Sequence, residues 1–197
     1  VILVRHAATS ATRAAAFPVD EPLDERGRAH AASLASLLPS HDELVCSPAR
    51  RCVQTAAAAG LPDPRLDPTL AECDFGAWAG RTLARVHDDD PEAAAAWMTE
   101  PGACPHGGES LAAFATRVGR WLDEQARLDG RVVAITHGGV AKAAVVHALG
   151  APLDAFWRID CAPLSITELH ARDGRWTLCR TNAMHPLTTG HASEVGA

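Results

Sequence analysis

Val1-Ile2-Leu3-Val4-Arg5-His6-Ala7-Ala8-Thr9 sets an aliphatic run directly before an arginine and a histidine. Four consecutive apolar residues read as a buried strand, which delivers Arg5 and His6 to its own carboxyl end. In an open α/β sheet that end borders the ligand crevice. A guanidinium fork matches phosphate oxygens, and an imidazole beside it can attack or bind a phosphoryl group. Alone, the pair is explained as well by chance at a strand end.

Three further segments repeat the theme. Val132-Val133-Ala134-Ile135 runs into Thr136-His137-Gly138-Gly139 and a helical stretch from Val140, so a second histidine stands at a strand end. The glycines there let backbone N–H groups approach an anion at a helix start. After the short strand Glu43-Leu44-Val45-Cys46 comes Ser47-Pro48-Ala49-Arg50-Arg51-Cys52-Val53-Gln54-Thr55-Ala56. Ser47 is a good N-cap and Pro48 a good first helical residue. Arg51 and Thr55 then share one face, with Arg51 near the anion-favouring pole. The last segment, Leu70-Ala71-Glu72-Cys73-Asp74-Phe75-Gly76-Ala77-Trp78-Ala79-Gly80, sets Glu72 among apolar and aromatic neighbours. Such surroundings can raise a carboxyl pKa toward the range of a general acid.

In order, these segments resemble the histidine phosphatase superfamily, also called the phosphoglycerate mutase-like family, over about residues 1–185. Arg5-His6-Ala7-Ala8-Thr9 matches its opening Arg-His-Gly-x-Thr, except that Ala7 replaces the glycine. Arg51 falls at the key arginine of Ser-Pro-x-x-Arg-x-x-Gln-Thr-Ala, and Glu72 at the acid of Leu-x-Glu-x-x-Phe-Gly-x-Trp-x-Gly. Thr136-His137-Gly138-Gly139 matches the second-histidine motif, and Gly107-Gly108-Glu109-Ser110 the segment that opens a long helix. Alanine at position 7 carries a steric cost if φ must be positive, which would weaken or reshape a phosphate pocket.

The resemblance implies a phosphatase that forms a phosphohistidine. Arg5, Arg51 and His137 would hold the equatorial oxygens, His6 would attack phosphorus, and Glu72 would protonate the leaving oxygen and then activate water. Thr9 could donate to the phosphate or brace its loop, and Gly138 would help bind the anion through its backbone. Two alternatives stay open: phosphoglycerate mutase-type transfer, and a non-catalytic phosphate-binding or regulatory module. Family mutases carry an extra Glu-Arg-His-Tyr-Gly segment and a longer chain, neither of which is seen here. The expected substrate is a small phosphate monoester: a sugar phosphate, a phosphoglycerate-like acid, a nucleotide precursor such as α-ribazole phosphate, or another biosynthetic intermediate.

Length and charge fit that reading. A chain of 197 residues suits one domain, and a net charge of -6 argues against a nucleic-acid surface. No apolar run approaches membrane-span length and no signal-peptide pattern is present, so a cytoplasmic protein acting on a small phosphorylated metabolite is expected. Val1 opens the chain without methionine, which reads as a trimmed or missing start. Six cysteines show no paired metal spacing and read as reduced, mostly buried thiols. Cys73, beside Glu72, could line the site; packing is the simpler role.

Strands feeding helices predict a three-layer αβα domain with a mostly parallel central sheet, phosphoglycerate mutase-like. Asp24 caps a predicted helix to about Leu38, with Gly27, Ala31, Leu34 and Leu38 on one stripe. The helix after Ser47 should reach about Gly60, and another should run from Glu109 to Leu128. Ser165–Ala171 and Arg175–Cys179, joined across Asp173-Gly174, read as a closing hairpin. The resemblance adds one antiparallel strand and a helical insertion over the site, about 80–109, which with the Ser10–Pro22 loop would shape the substrate cavity. The tail of about 186–197 reads as mobile.

Other side chains have plainer readings. His6 and His137 could ligate a metal, but no Asp or Glu follows either at ligand spacing, so neither metal nor cofactor is expected. Arg50 lies off the face of Thr55 and reads as solvated. His30, His41, His87, His147, His170 and His191 read as surface or packed histidines, His147 as a satisfied core residue. His106, Arg13 and Arg81 are candidate substrate contacts, with solvation the competing role for the arginines. Asp88-Asp89-Asp90 reads as a solvated helix end.

Overall fold

The computed structural model describes residues 1–184, so the tail and His191 lie outside it. Strand β1 (Ile2–Arg5) forms from the opening aliphatic run. It joins β2 (Glu43–Cys46), β3 (Arg65–Leu66), β4 (Val132–Thr136), β5 (Ile166–Arg172) and β6 (Arg175–Ala183) in one sheet of order β3-β2-β4-β1-β5-β6. The pairs β3–β2, β2–β4 and β4–β1 are parallel. β5 runs antiparallel to both β1 and β6, so it alone opposes the common direction.

Alternation along the central strands splits the core between the two faces of the sheet. Leu3, Val45, Val132 and Ala134 pack with α6 (Leu111–Gln125) and α7 (Gly138–Ala148). Ile2, Val4, Cys46, Val133 and Ile135 point the other way, toward α2 (Glu25–Ala31) and α3 (Arg50–Ala58). Helices on both faces make the three expected layers. Each fully buried Leu, Ile or Val contributes about 1.5–3 kcal/mol, so this split core dominates stability.

A smaller aromatic cluster lies apart. The short α1 (Ser10–Arg13) is followed by a loop carrying Phe17, which packs with Trp78 and with Val86, Ala94 and Trp97 of α4 (Leu83–Asp89) and α5 (Pro91–Thr99). Main-chain bonds tie the two segments: Phe17 N–H donates to the Arg81 carbonyl, and Gly80 N–H to the Phe17 carbonyl, both at 2.9 Å. Among the described residues no helix is long and apolar enough to cross a membrane.

Three boundaries differ from expectation. The helix capped by Asp24 ends at Ala31, and Leu34–Leu37 continue as a 3₁₀ turn. Ser33 and Ser36 hydroxyls donate to the carbonyls three residues back, a local alternative to the α ladder. The helix after β2 begins at Arg50 with Ala49 as its cap residue, because the Ser47 hydroxyl is engaged elsewhere. β6 extends four residues past Cys179, to Ala183. The hairpin turn falls where predicted, with Asp173 and Gly174 both at positive φ, the geometry of a type I′ connection.

Candidate active site

Strand register builds the site. Arg5 lies opposite Thr136 on adjacent parallel strands, and His6 N–H donates to the Thr136 carbonyl at 2.8 Å. His6 and His137 therefore leave neighbouring strands side by side, with ring centroids 5.3 Å apart and planes at 69°. On the other side of β4, Ser47 N–H bonds the Ile135 carbonyl at the end of β2. The chain then enters α3, whose first turn carries Arg51 to the same point. Thr55, one turn later, accepts from Ala7 N–H at 3.0 Å and locks the histidine loop to α3.

Arg51 fixes the protonation pattern. A guanidinium only donates, so the atoms facing it must be lone pairs. Its Nε reaches His6 Nε2 at 3.2 Å and its Nη2 reaches His137 Nδ1 at 3.1 Å. The remaining imidazole protons then sit on His6 Nδ1, which donates to the Ala7 carbonyl at 2.7 Å, and on His137 Nε2, which donates to Ser47 Oγ at 2.8 Å. Burial, then the Arg51 and Arg5 charges, push the His6 pKa down to about 3 against the pull of the Ala7 carbonyl. Burial, His6 and both arginines hold His137 well below its usual range. His6 thus presents an unprotonated Nε2 beside two permanent cations.

The second half of the site forms at the start of α7. Arg5 Nη1 donates to the Cys161 carbonyl, while its Nε is buried without a partner. Gly139 N–H donates to Glu72 Oε2 and Cys73 N–H to Glu72 Oε1, each at 3.1 Å. The carboxylate therefore rests on the helix N-terminus, where the peptide dipoles favour negative charge. A Cβ at Gly139 would overlap that carboxylate, and one at Gly138 would press on Arg5 Nε at 3.2 Å. Arg117, paired with Glu109, holds the Glu72 loop through the Thr69 and Ala71 carbonyls at 2.7 and 3.0 Å.

Arg5, His6, Arg51, Glu72, His137 and Gly138 come together as expected. Thr9 takes the bracing role: its hydroxyl caps α1 by accepting from Thr12 N–H and donates to Glu21 Oε1. Ala7 is fully buried and its backbone stays out of the left-handed region, so the missing glycine imposes no φ strain. Ser47 fits the sequence rules for a helix cap equally well, and Glu21 and Arg117 lie outside the sequence motifs. Ser47 carried one visible signal, its place four residues before Arg51.

Several side expectations are corrected. His147 is exposed and bonds Asp123 Oδ1 at 2.8 Å, because it projects from the outer edge of α7. His106 is buried against Phe75, Trp78 and Trp97, with Nδ1 accepting from Gly108 N–H. Arg13 pairs with Asp24 and Arg81 with Asp89, so both heads are held by carboxylates. Asp90 caps α5 as well as ending α4. Cys73, by contrast, packs in the core as expected, and its thiol donates to the Glu109 carbonyl.

Comparison with known proteins places the chain in one superfamily. The sequence profile of the histidine phosphatase superfamily (branch 1) matches residues 1–184. An adenosylcobalamin/alpha-ribazole phosphatase of Salmonella typhimurium is 32% identical over 168 residues, covering 79% of this chain and 82% of that protein. A bifunctional protein of Mycobacterium tuberculosis is 34% identical over 135 residues, 65% of this chain; the match spans only 37% of that longer protein. A mycobacterial glucosyl-3-phosphoglycerate phosphatase, solved with VO3, superposes with a TM-score of 0.83 at 29% identity, covering 93% of this chain and 98% of that one.

Proposed function

Since the chain belongs to the histidine phosphatase superfamily, branch 1, we propose that it hydrolyses a small phosphate monoester through a phosphohistidine on His6, without a metal. The carrying observation is the His6 ring: Nδ1–H is held by the Ala7 carbonyl, so Nε2 offers its lone pair beside Arg51 and His137.

In the first step Glu72 takes the proton of the entering phosphate monoanion, Nε2 attacks phosphorus, the P–O bond to the alcohol breaks, and Glu72 passes that proton to the leaving oxygen. Arg5, Arg51 and the α7 N-terminus hold the phosphoryl oxygens beside the His137 ring, so positive charge is in place before charge moves. In the second step Glu72 takes a proton from water, whose oxygen attacks phosphorus. The P–N bond breaks, and phosphate leaves with His6 neutral again. The candidate leaving groups are those of sugar phosphates, phosphoglycerate-like acids and α-ribazole phosphate; the relatives named for alpha-ribazole phosphate and glucosyl-3-phosphoglycerate support that range. One domain in the cytoplasm suffices for such a reaction.

The test is turnover of p-nitrophenyl phosphate with and without chelator, plus acid quenching to trap a labelled protein. Acid-labile label on wild type, absent from His6→Ala, with activity indifferent to chelator, supports the reading. Loss of activity with chelator, or full activity in His6→Ala, overturns it.

A further inference from the structure

Each nitrogen of the Arg51 guanidinium has a partner in this structure, and one of these contacts is incompatible with attack. Its Nε donates to His6 Nε2 at 3.2 Å, on the lone pair that would displace the leaving group. Its Nη2 holds His137 Nδ1 at 3.1 Å and its Nη1 the Val19 carbonyl at 2.7 Å. A phosphoryl group between the imidazoles needs those donors, so the guanidinium must turn from the rings as the anion enters. The N–H groups that then miss the anion need another acceptor.

Glu21 stands where that acceptor is required. Its side chain is 10% exposed, and its Oε2 lies 3.9 Å from Arg51 Nη1, too far for a hydrogen bond and with no other partner. Its Oε1 accepts from the Thr9 hydroxyl at 3.0 Å, and Thr9 is itself wholly buried. The flanking chain is pinned too: Asp20 Oδ1 accepts from Arg50 N–H at 2.7 Å and Gln54 Oε1 from Leu23 N–H at 2.9 Å. The carboxylate cannot follow the arginine, so the arginine must come to it. A buried carboxylate oxygen lacking a donor is costly, and an incoming N–H relieves that cost.

The geometry points to Glu21 as a positioning residue, the second seat of the Arg51 guanidinium. Arg51 caps His6 Nε2 in this structure. When a phosphoryl group enters, Arg51 shifts onto Glu21 Oε2, uncovers the nucleophile and holds the anion; when phosphate leaves, it returns. This rests on the reading of the site as a phosphoryl site.

Two experiments test it. The first is a structure of the wild type with inorganic phosphate bound, in which an Arg51 nitrogen should lie about 2.7–2.9 Å from Glu21 Oε2, the usual length of an ionic hydrogen bond. The second is Glu21→Gln, which keeps an oxygen for Thr9 but removes the charge. Calorimetric phosphate affinity should weaken about tenfold, KM for p-nitrophenyl phosphate should rise in proportion, and kcat and Tm should stay near wild type. Arg51 still on His6 Nε2 with phosphate bound overturns the proposal. So does unchanged or tighter phosphate binding in Glu21→Gln, or a fall in Tm with phosphate affinity kept. A wild type that binds no phosphate removes this proposal and the phosphoryl reading together; one that binds it equally well with and without the charge removes this proposal alone.

Discussion

At the sheet rim, His6, His137 and Arg51 are held by hydrogen bonds of 2.7–3.2 Å to one another, to the Ala7 carbonyl and to Ser47. In the aromatic cap, Phe17, Trp78, Trp97 and Trp157 meet only ring to ring, with centroids 4.7–5.7 Å apart. Each region buries a histidine, yet in opposite company. His6 keeps both nitrogens partnered, whereas His106 Nε2 in the cap has no partner. Hydrogen bonds anchored on strand ends specify atoms to within tenths of an ångström; ring packing specifies only volume and shape. Changes at the rim should therefore break chemistry at nearly constant stability, and changes in the cap should do the reverse.

His6→Ala is the hardest test of that contrast. Removing the nucleophile should lower kcat for p-nitrophenyl phosphate by at least about 10⁴-fold, with the melting temperature close to wild type. Glu72→Gln should lower kcat about 10²–10³-fold on an alkyl phosphate and much less on p-nitrophenyl phosphate, whose leaving group needs no proton. Equal losses on both substrates would remove the general-acid role. Gly139→Ala should cost about tenfold or more in kcat, because the added methyl overlaps the seat of the Glu72 carboxylate.

Trp97→Ala turns the comparison round. It should destabilise the fold by about 3–5 kcal/mol in urea titration, with a smaller change in kcat than any rim variant. A stable Trp97→Ala enzyme with dead chemistry would show that the cap positions catalytic atoms directly.

The mildest effect is on pH. His6 is neutral when folded, with its pKa pushed from the ordinary 6.5 down to about 3, so the unfolded chain binds more protons between those values. Stability should rise with pH across that window and be lost as pH falls through it. His6 adds at most about 1.4 kcal/mol per pH unit to the slope. Urea unfolding of wild type and His6→Gln between pH 5 and 6.5 isolates it, and equal slopes would show that His6 is not held neutral.

The site was legible to the extent that it lies on strand ends. Hydrophobic runs place Arg5, His6 and His137, and the helix start places Arg51, because those positions depend on local pattern and on the direction of a parallel sheet. The Ser47 role was missed because a serine before proline satisfies the rules for a helix cap equally well. His147 was misplaced because a helix between a sheet and another helix has a narrow exposed edge, which spacing alone does not locate. The split of the Asp24 helix is not visible in the apolar stripe, because Ser33 and Ser36 interrupt the α ladder through hydroxyl bonds to carbonyls three residues back and leave the apolar spacing unchanged.

By itself the sequence determined the layer order, the strand ends and the set of charged groups, since periodicity and turn chemistry act over a few residues. Only the tertiary structure decided that Arg51 covers both imidazoles, that Ser47 accepts the remaining His137 proton, and that Glu21 stands behind the arginine with one oxygen free. Those relations join residues 30 to 90 positions apart, and partners at such separations are chosen by strand register and helix docking, which no local pattern encodes.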